Sequence, residues 1–359
     1  MRTGNRIRRL AIRHVIGTIA IATAGAVSAQ SPQQGVPGWQ FQIDNDFFSL
    51  RDATDRWYTN GLRFAYVFKP RDGPDLLEKP AASIGEWACT GCQTTVGLFL
   101  GQEIYTPNKI TDPAPQPQDR PWAGWLYLGA VATYSERLDH SKFHERQQSF
   151  ELSVGVIGPA AGADVVQTNW HEIIHAPLPE GWTNQLQNEP TLQVGYVAKW
   201  RLIGPQRTWD VIPHVGASLG SPLTLARAGL TVRVGENICG FGVGPLPFRR
   251  TDGAELTKPD PPIRSSCNES ETEWYLFAGG EVRAVAWNTF LDGGVFRDGP
   301  SVDKKPFVLD GAVGVALRFA KHWRLTYSYT VRTREFGPTP PGAPAAHGFG
   351  SVTVAYEYR

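Results

Sequence analysis

The chain has 359 residues, with 35 Lys and Arg against 34 Asp and Glu, so it lacks the basic excess of a nucleic-acid binder and its partners must be sought by site. Its 38 Gly, 28 Pro and 12 Trp, against one Met and four Cys, fit an all-β chain with many turns and interfacial aromatics. Beyond the N-terminal segment no run of about 18 apolar residues occurs, which excludes a transmembrane helix there.

Residues 1–29 read as a secretory signal peptide: five arginines up to Arg13, an apolar core from Val15 to Val27, and the small-residue run VSA before Gln30. The core is too short to span a bilayer, and cleavage is expected after Ala29, leaving 30–359 as the exported domain of a Gram-negative cell.

From residue 38 onward the dominant signal is alternation. Trp39, Phe41 and Ile43 share one face and Gln40, Gln42 and Asp44 the other; Leu62, Phe64, Tyr66 and Phe68 oppose Gly61, Arg63 and Ala65. The same period returns in VGLFLGQEI, SFELSVGVI, LQVGYVAKWRL, LTVRV, WYLFAGGEV, VGVALRF, WRLTYSYTV and SVTVAYEY. Each stretch runs for about ten residues, the length a tilted strand needs to cross a bilayer. Twelve such stretches begin near residues 38, 58, 94, 122, 147, 190, 209, 226, 273, 307, 323 and 347. The fold class expected is all-β, a twelve-stranded antiparallel transmembrane β-barrel with both termini periplasmic and a short helix in an extracellular loop. A soluble sandwich also alternates, but the signal peptide, strand length and aromatic ends favour the outer-membrane barrel.

With the first strand running outward, the exterior loops are 49–57, 106–121, 158–189, 221–225, 288–306 and 336–346. All four cysteines then fall on the periplasmic side, where disulfides persist, and Cys89 with Cys92 and Cys239 with Cys267 are the expected pairs. The C-x-x-C could otherwise be a redox or zinc site, but neither a βαβ context nor a second C-x-x-C accompanies it.

The exterior rim gathers NDFFS, TDRWYTNGLRF, GQEIYTPNKI, DRPWAGWLYLG, GVIGPAAGADVVQTNWHEII and GWTNQLQNEP. Together, in this order and spacing, these stretches resemble the lipid A 3'-O-deacylases of the Gram-negative outer membrane; the likeness is thinner in the second half. The resemblance implies a hydrolase that removes the 3'-linked acyloxyacyl chain of lipid A, the anchor of lipopolysaccharide. Carried over residue by residue, it assigns Asn45, Asp46, Thr59 and His171 to the site. The implied mechanism has His171 as general base and a Ca²⁺ cofactor that stabilises the oxyanion, with Asp46 and Asn45 as its oxygen ligands. Strand parity sets Asn45 outward but would turn Asp46 and Thr59 into the lumen unless a bulge or a strand end reorients them. Taken singly, Asn45 and Asp46 are also common strand terminators, Thr59 an ordinary strand residue and His171 an ordinary loop histidine.

Around this set, Gln167 and His175 stand four residues either side of His171 and could orient its ring. Arg120 and Lys109, near Asp119, could bind a lipid A phosphate or merely solvate a loop. HEIIH at 171–175 matches the zinc-protease H-E-x-x-H, but Pro177 and Pro179 end the helix at once and no third ligand is evident. Two other readings compete: a porin-like channel lined by Arg63, Glu103, Glu151, Arg233, Glu281 and Arg283, and a serine phospholipase, for which no exterior serine sits in a recognisable elbow.

Overall fold

The computed structural model describes residues 38–48, 55–89, 92–138, 141–241, 272–338 and 343–358; the expected signal peptide and Cys267 lie outside them. The alternating stretches form β1 (Gly38–Asn45), β2 (Trp57–Val67), β3 (Gln93–Thr106), β4 (Ala123–Arg137), β5 (Glu145–Ile157) and β6 (Glu189–Ile203). They continue as β7 (Trp209–Gly220), β8 (Leu223–Glu236), β9 (Glu273–Asn288), β10 (Phe307–Phe319), β11 (Trp323–Thr333) and β12 (Ala346–Glu357). No start is displaced from its expected position by more than three residues. Each strand pairs antiparallel with its sequence neighbours and β1 closes on β12, Gly38 opposite Glu357 and Asn45 opposite Gly350. Closure leaves no sheet edge unpaired, which a wall in hydrocarbon requires.

Alternation sorts the side chains. On β9 and β10, Glu281, Arg283 and Asp310 are buried inside while Leu276, Val282, Leu309 and Val313 are exposed outside. At the periplasmic end the outer face carries an aromatic row, with Trp39 against Trp323 at 5.7 Å, and Tyr134, Phe150 and Tyr196 in succession across β4 to β6. Such a row marks the headgroup level.

The interior is filled by ion pairs. Arg63 meets Glu151 at 2.6 Å; Asp310 takes the Arg332 Nε and Nη2 at 2.6 Å each and Arg283 at 3.1 Å; Asp210 lies between Arg201 and Arg233. Of the expected lumen charges, Glu281 accepts His214 at 3.0 Å and Glu103 accepts the Tyr105 hydroxyl. Charges this deep persist only where partners replace lost water. At the exterior mouth, Phe290 on a one-turn helix between β9 and β10 stacks on Tyr105 at 4.3 Å and joins Trp125 and Tyr127 in an aromatic plug.

Two longer helices lie in connections. α1 (Asp75–Ala88), which the sequence reading did not anticipate, follows β2 on the periplasmic side and ends at the Cys89–Cys92 disulfide, Cα to Cα 5.9 Å. Cys239 is also disulfide-bonded. α2 (Ala163–Ile174) follows β5 on the exterior side, as expected.

Candidate active site

α2 is seated against the outside of the wall. Its residues Ala163, Gln167 and His171 recur at one-turn spacing and are the buried ones. A 3-10 turn, Pro159–Ala161, and the left-handed Gly162 bring the chain out of β5, and Asp164 in the first turn suits the helix dipole. Gly124 on β4 permits the close approach: a Cβ there would stand 2.4 Å from the Ala163 Cβ. Gln102, on the outer face of β3, donates to the Ala161 carbonyl at 2.7 Å, and Ile104, Ile110, Trp122, Ala163 and Trp182 close an apolar seam.

His171, 1% exposed, is thus pressed between helix and wall. Its Nδ1 lies 2.5 Å from the Pro177 carbonyl, which can only accept, so Nδ1 carries the proton and the lone pair of the neutral ring sits on Nε2. Nε2 faces the Asp55 carboxylate at 3.4 Å. Burial favours the neutral ring, but the Asp55 carboxylate and the Pro177 carbonyl outweigh it and hold the His171 pKa above that of an ordinary histidine.

The other expected residues converge on the same ledge. Asn45 ends β1 on its outward parity, is nonetheless buried, and accepts from the Phe47 amide at 2.7 Å. Asp46 opens a 3-10 turn, so the strand end frees it from parity, and it accepts from the Arg56 amide at 3.2 Å. A β-bulge between Tyr58 and Asn60 inserts Thr59, which turns the Tyr58 hydroxyl inward onto Asp44 and lets Thr59 meet Thr106 at 2.7 Å. The Thr106 hydroxyl reaches the Asp55 carbonyl at 3.4 Å. A chain of contacts therefore runs from Thr59 through Thr106 to Asp55, and from Asp55 to His171; Asp46 is tied in through Arg56.

Burial, then the nearby Asp55 charge, pushes the Asp46 carboxyl well above the usual carboxylate range despite backbone amide donors. The Asp46 carboxyl, with the Asp55 charge nearby, and the Asn45 amide oxygen are hard donors without a thiolate, the donor type that a Ca²⁺ would take. The cysteine-containing cluster, Cys89 and Cys92 near Glu136, is consumed by its disulfide.

Three expectations need correction. Gln167 does not orient His171: its Oε1 accepts from Trp182 Nε1 at 3.0 Å, while Asp55 and Pro177 hold the ring. Arg120 is not presented at the leaflet surface; its guanidinium is buried in the barrel mouth, 2.9 Å from Glu335 and over the Tyr105 ring, because the segment before β4 tucks inward beside Trp57. His175 caps α2 with φ 56°, exposed, so it shares no face with His171 and H-E-x-x-H does not form a zinc pair. Lys109 is exposed on the exterior loop. Asp55 was missed, although it stands inside the motif TDRWYTNG: a buried histidine base calls for an acid partner, but Glu172 and Asp164 lie far closer in sequence, and only the fold brings Asp55 to Nε2.

A closed twelve-strand wall with a polar ledge buried on its lipid-facing side defines an integral outer-membrane barrel. The family model described as "Outer membrane protein LpxR" matches residues 15–358, and the chain belongs to that family, the one its rim motifs resemble. Among solved structures, LpxR from Salmonella typhimurium superposes with TM-score 0.66 at 20% identity over 89% of this chain and 100% of that one, a likeness of fold. The β domain of the Bordetella autotransporter BrkA reaches TM-score 0.42 at 11% identity over 91% of this chain and 99% of that one. No curated protein matches the sequence.

Proposed function

We propose that this protein hydrolyses the 3'-linked acyloxyacyl ester of lipid A, with His171 as general base. The observation that carries the reading is the His171 ring, fixed on the lipid-facing wall with Nδ1 on a carbonyl and Nε2 opposite a carboxylate. A substrate that cannot leave the outer leaflet needs a site open to the membrane, and a ledge on the outer wall at the exterior rim meets that need.

In this reading neutral Nε2 takes a proton from water as its oxygen bonds to the ester carbonyl carbon. Asp55 stabilises the imidazolium so formed, and Pro177 keeps the tautomer. The Asn45 Oδ1 accepts from the Phe47 amide and keeps a second lone pair for a cation, while its amide nitrogen is left to donate to the developing oxyanion. When the tetrahedral carbon collapses, the bond to the sugar 3'-oxygen breaks and that oxygen recovers the proton from Nε2, releasing the carboxylic acid. Thr59, paired with Thr106, holds the bulged strand and the Asp55 backbone in place. A Ca²⁺ held by Asp46 and Asn45 would add positive charge against the oxyanion.

The test is mass spectrometry of lipid A from cells expressing the intact chain or His171→Ala. Loss of the 3' chain is expected with the intact protein, and a rate lower by about 10²–10⁴ in the variant, with the barrel still heat-modifiable. Full activity of His171→Ala removes the assignment. A channel would need an open lumen, whereas here Phe290 and the buried ion pairs occupy it.

A further inference from the structure

α1 lies on the outer surface of the wall, not in the lumen. The Tyr134 hydroxyl, on the lipid-facing parity of β4, donates to the Ala81 carbonyl at 2.8 Å, and a Cβ at Gly85 would stand 3.0 Å from the Tyr134 ring and 3.4 Å from Thr94 Oγ1. The helix end is fastened to the same face: Arg146 and Gln148 each donate to the Ala88 carbonyl at 3.2 Å, and Tyr196 donates to Gln148 at 2.8 Å. Tyr134, Phe150 and Tyr196 are members of the periplasmic aromatic row, so α1 sits at headgroup depth.

The helix has three sides. Ala81 and Gly85 meet the wall. Leu76, Pro80, Ile84 and Trp87 follow one another at helical spacing on a second side, and Leu76 and Trp87 are 83% and 82% exposed, which no protein contact explains among the described residues. Asp75, Lys79, Ala82 and Glu86 form the third side, exposed, with Asp75 and Lys79 paired at 2.7 Å. An apolar side flanked by a wall and by a charged side is the pattern of a helix lying in an interface plane.

We propose that α1 is an interfacial helix that beds Leu76, Pro80, Ile84 and Trp87 in the periplasmic phospholipid leaflet, with Asp75, Lys79 and Glu86 turned to water. The occupant is lipid because the apolar side continues the barrel's own lipid-facing surface through Tyr134 and Phe150, at the depth where headgroups and acyl chains meet. The proposal is independent of the enzymatic reading.

The test places the full chain in phosphatidylcholine vesicles whose acyl chains are brominated near the headgroup. Emission belonging to Trp87 is taken as the difference between the protein and Trp87→Phe. It is expected to be blue-shifted, to lose more than half its intensity to the brominated lipid, and to resist aqueous iodide. In the Trp87→Phe background, Leu76→Trp is expected to behave alike, and Ala82→Trp to show the reverse. Quenching of the Trp87 and Leu76→Trp signals by iodide and not by brominated lipid would overturn the proposal. So would protection from both quenchers, which would mean that a protein surface covers the helix. Heat-modifiability of each variant confirms that the barrel is folded.

Discussion

Along β8, β9 and β10 the inside-outside pattern holds except for one register shift beside Thr224 at the exterior end of the β8–β9 pair: Arg227, Arg233, Glu281, Arg283 and Asp310 point inward, while Leu230, Val232, Leu276 and Leu309 face lipid. At the exterior ends of β1, β2 and β3, by contrast, Asn45, Thr59 and Thr106 are polar, lie on the lipid side, and are buried. The second half of the wall settles its charges internally and leaves a plain apolar outside. The first half breaks its own period, with a bulge at Thr59 and a 3-10 turn at Asp46, and covers the result with α2. Polar groups facing hydrocarbon are costly unless paired or covered, so their presence at one place marks a site.

The largest expected effect that would break this contrast is at Asp46. In Asp46→Asn the rate is expected to fall by about 10²–10³, the size of a lost oxyanion-stabilising element, and the residual activity no longer to respond to added calcium or chelator. Lipid A hydrolysis titrated with calcium checks both. An unchanged chelator response would remove the metal from the proposal and leave the histidine in it.

Next comes Asp55→Asn. His171 works only when neutral, so activity is expected to climb as pH rises through its pKa, which the Asp55 carboxylate and the Pro177 carbonyl hold above the ordinary value against burial. Without the carboxylate, burial dominates and the rising limb is expected at lower pH, while the plateau falls by about ten- to a hundredfold as the imidazolium loses its partner. A pH–rate profile separates this from loss of folding, which would lower the plateau without moving the limb.

How much of this contrast was legible in the sequence follows from its physics. A period of two survives in any strand with one face in lipid, so β1 to β12 could be read from Trp39 to Tyr356 without any structure. The bulge at Thr59 has no signature of its own: parity alone assigned it to the lumen, and only the Tyr58 hydroxyl on Asp44 shows why the strand shifts there. Asp55 was hidden because loops carry no period. Arg120 misled because a charge beside exterior motifs looks like a surface charge, whereas Glu335, more than two hundred residues away in sequence, draws it into the mouth. α1 was missed because Pro80 interrupts its pattern and two of its apolar residues point away from the protein.

A smaller effect is expected where helix and wall touch. Gly124→Ala places a methyl 2.4 Å from the Ala163 Cβ, a contact that only a shift of α2 can relieve. Where a misplacement of about 1 Å can cost about 10²-fold, a shift of a few tenths is expected to cost roughly tenfold in kcat, with the barrel's heat stability nearly unchanged. If activity were retained, the close contact of Gly124 with Ala163 would not be what sets the seat of α2 and with it the position of His171.

The smallest effect on activity, and the one that sharpens the comparison most, is expected at Asp310. Its carboxylate holds Arg332 through two hydrogen bonds and Arg283 through a third, far along the wall from α2. Asp310→Asn removes the charge and leaves two buried guanidinium groups short of compensation, a change that costs about 3–5 kcal/mol when one partner of a buried pair is lost. The temperature at which the folded band disappears on gels is expected to drop. Hydrolysis per folded barrel is expected to stay within twofold, because Asp310 is held by Arg332 and Arg283 on the inner face of the wall, opposite to the face that carries α2. Should both fall together, the interior ladder and the outer ledge would be one cooperative unit, and the burial of Arg120 on Glu335, 3.7 Å from Arg332, would be the link that couples them.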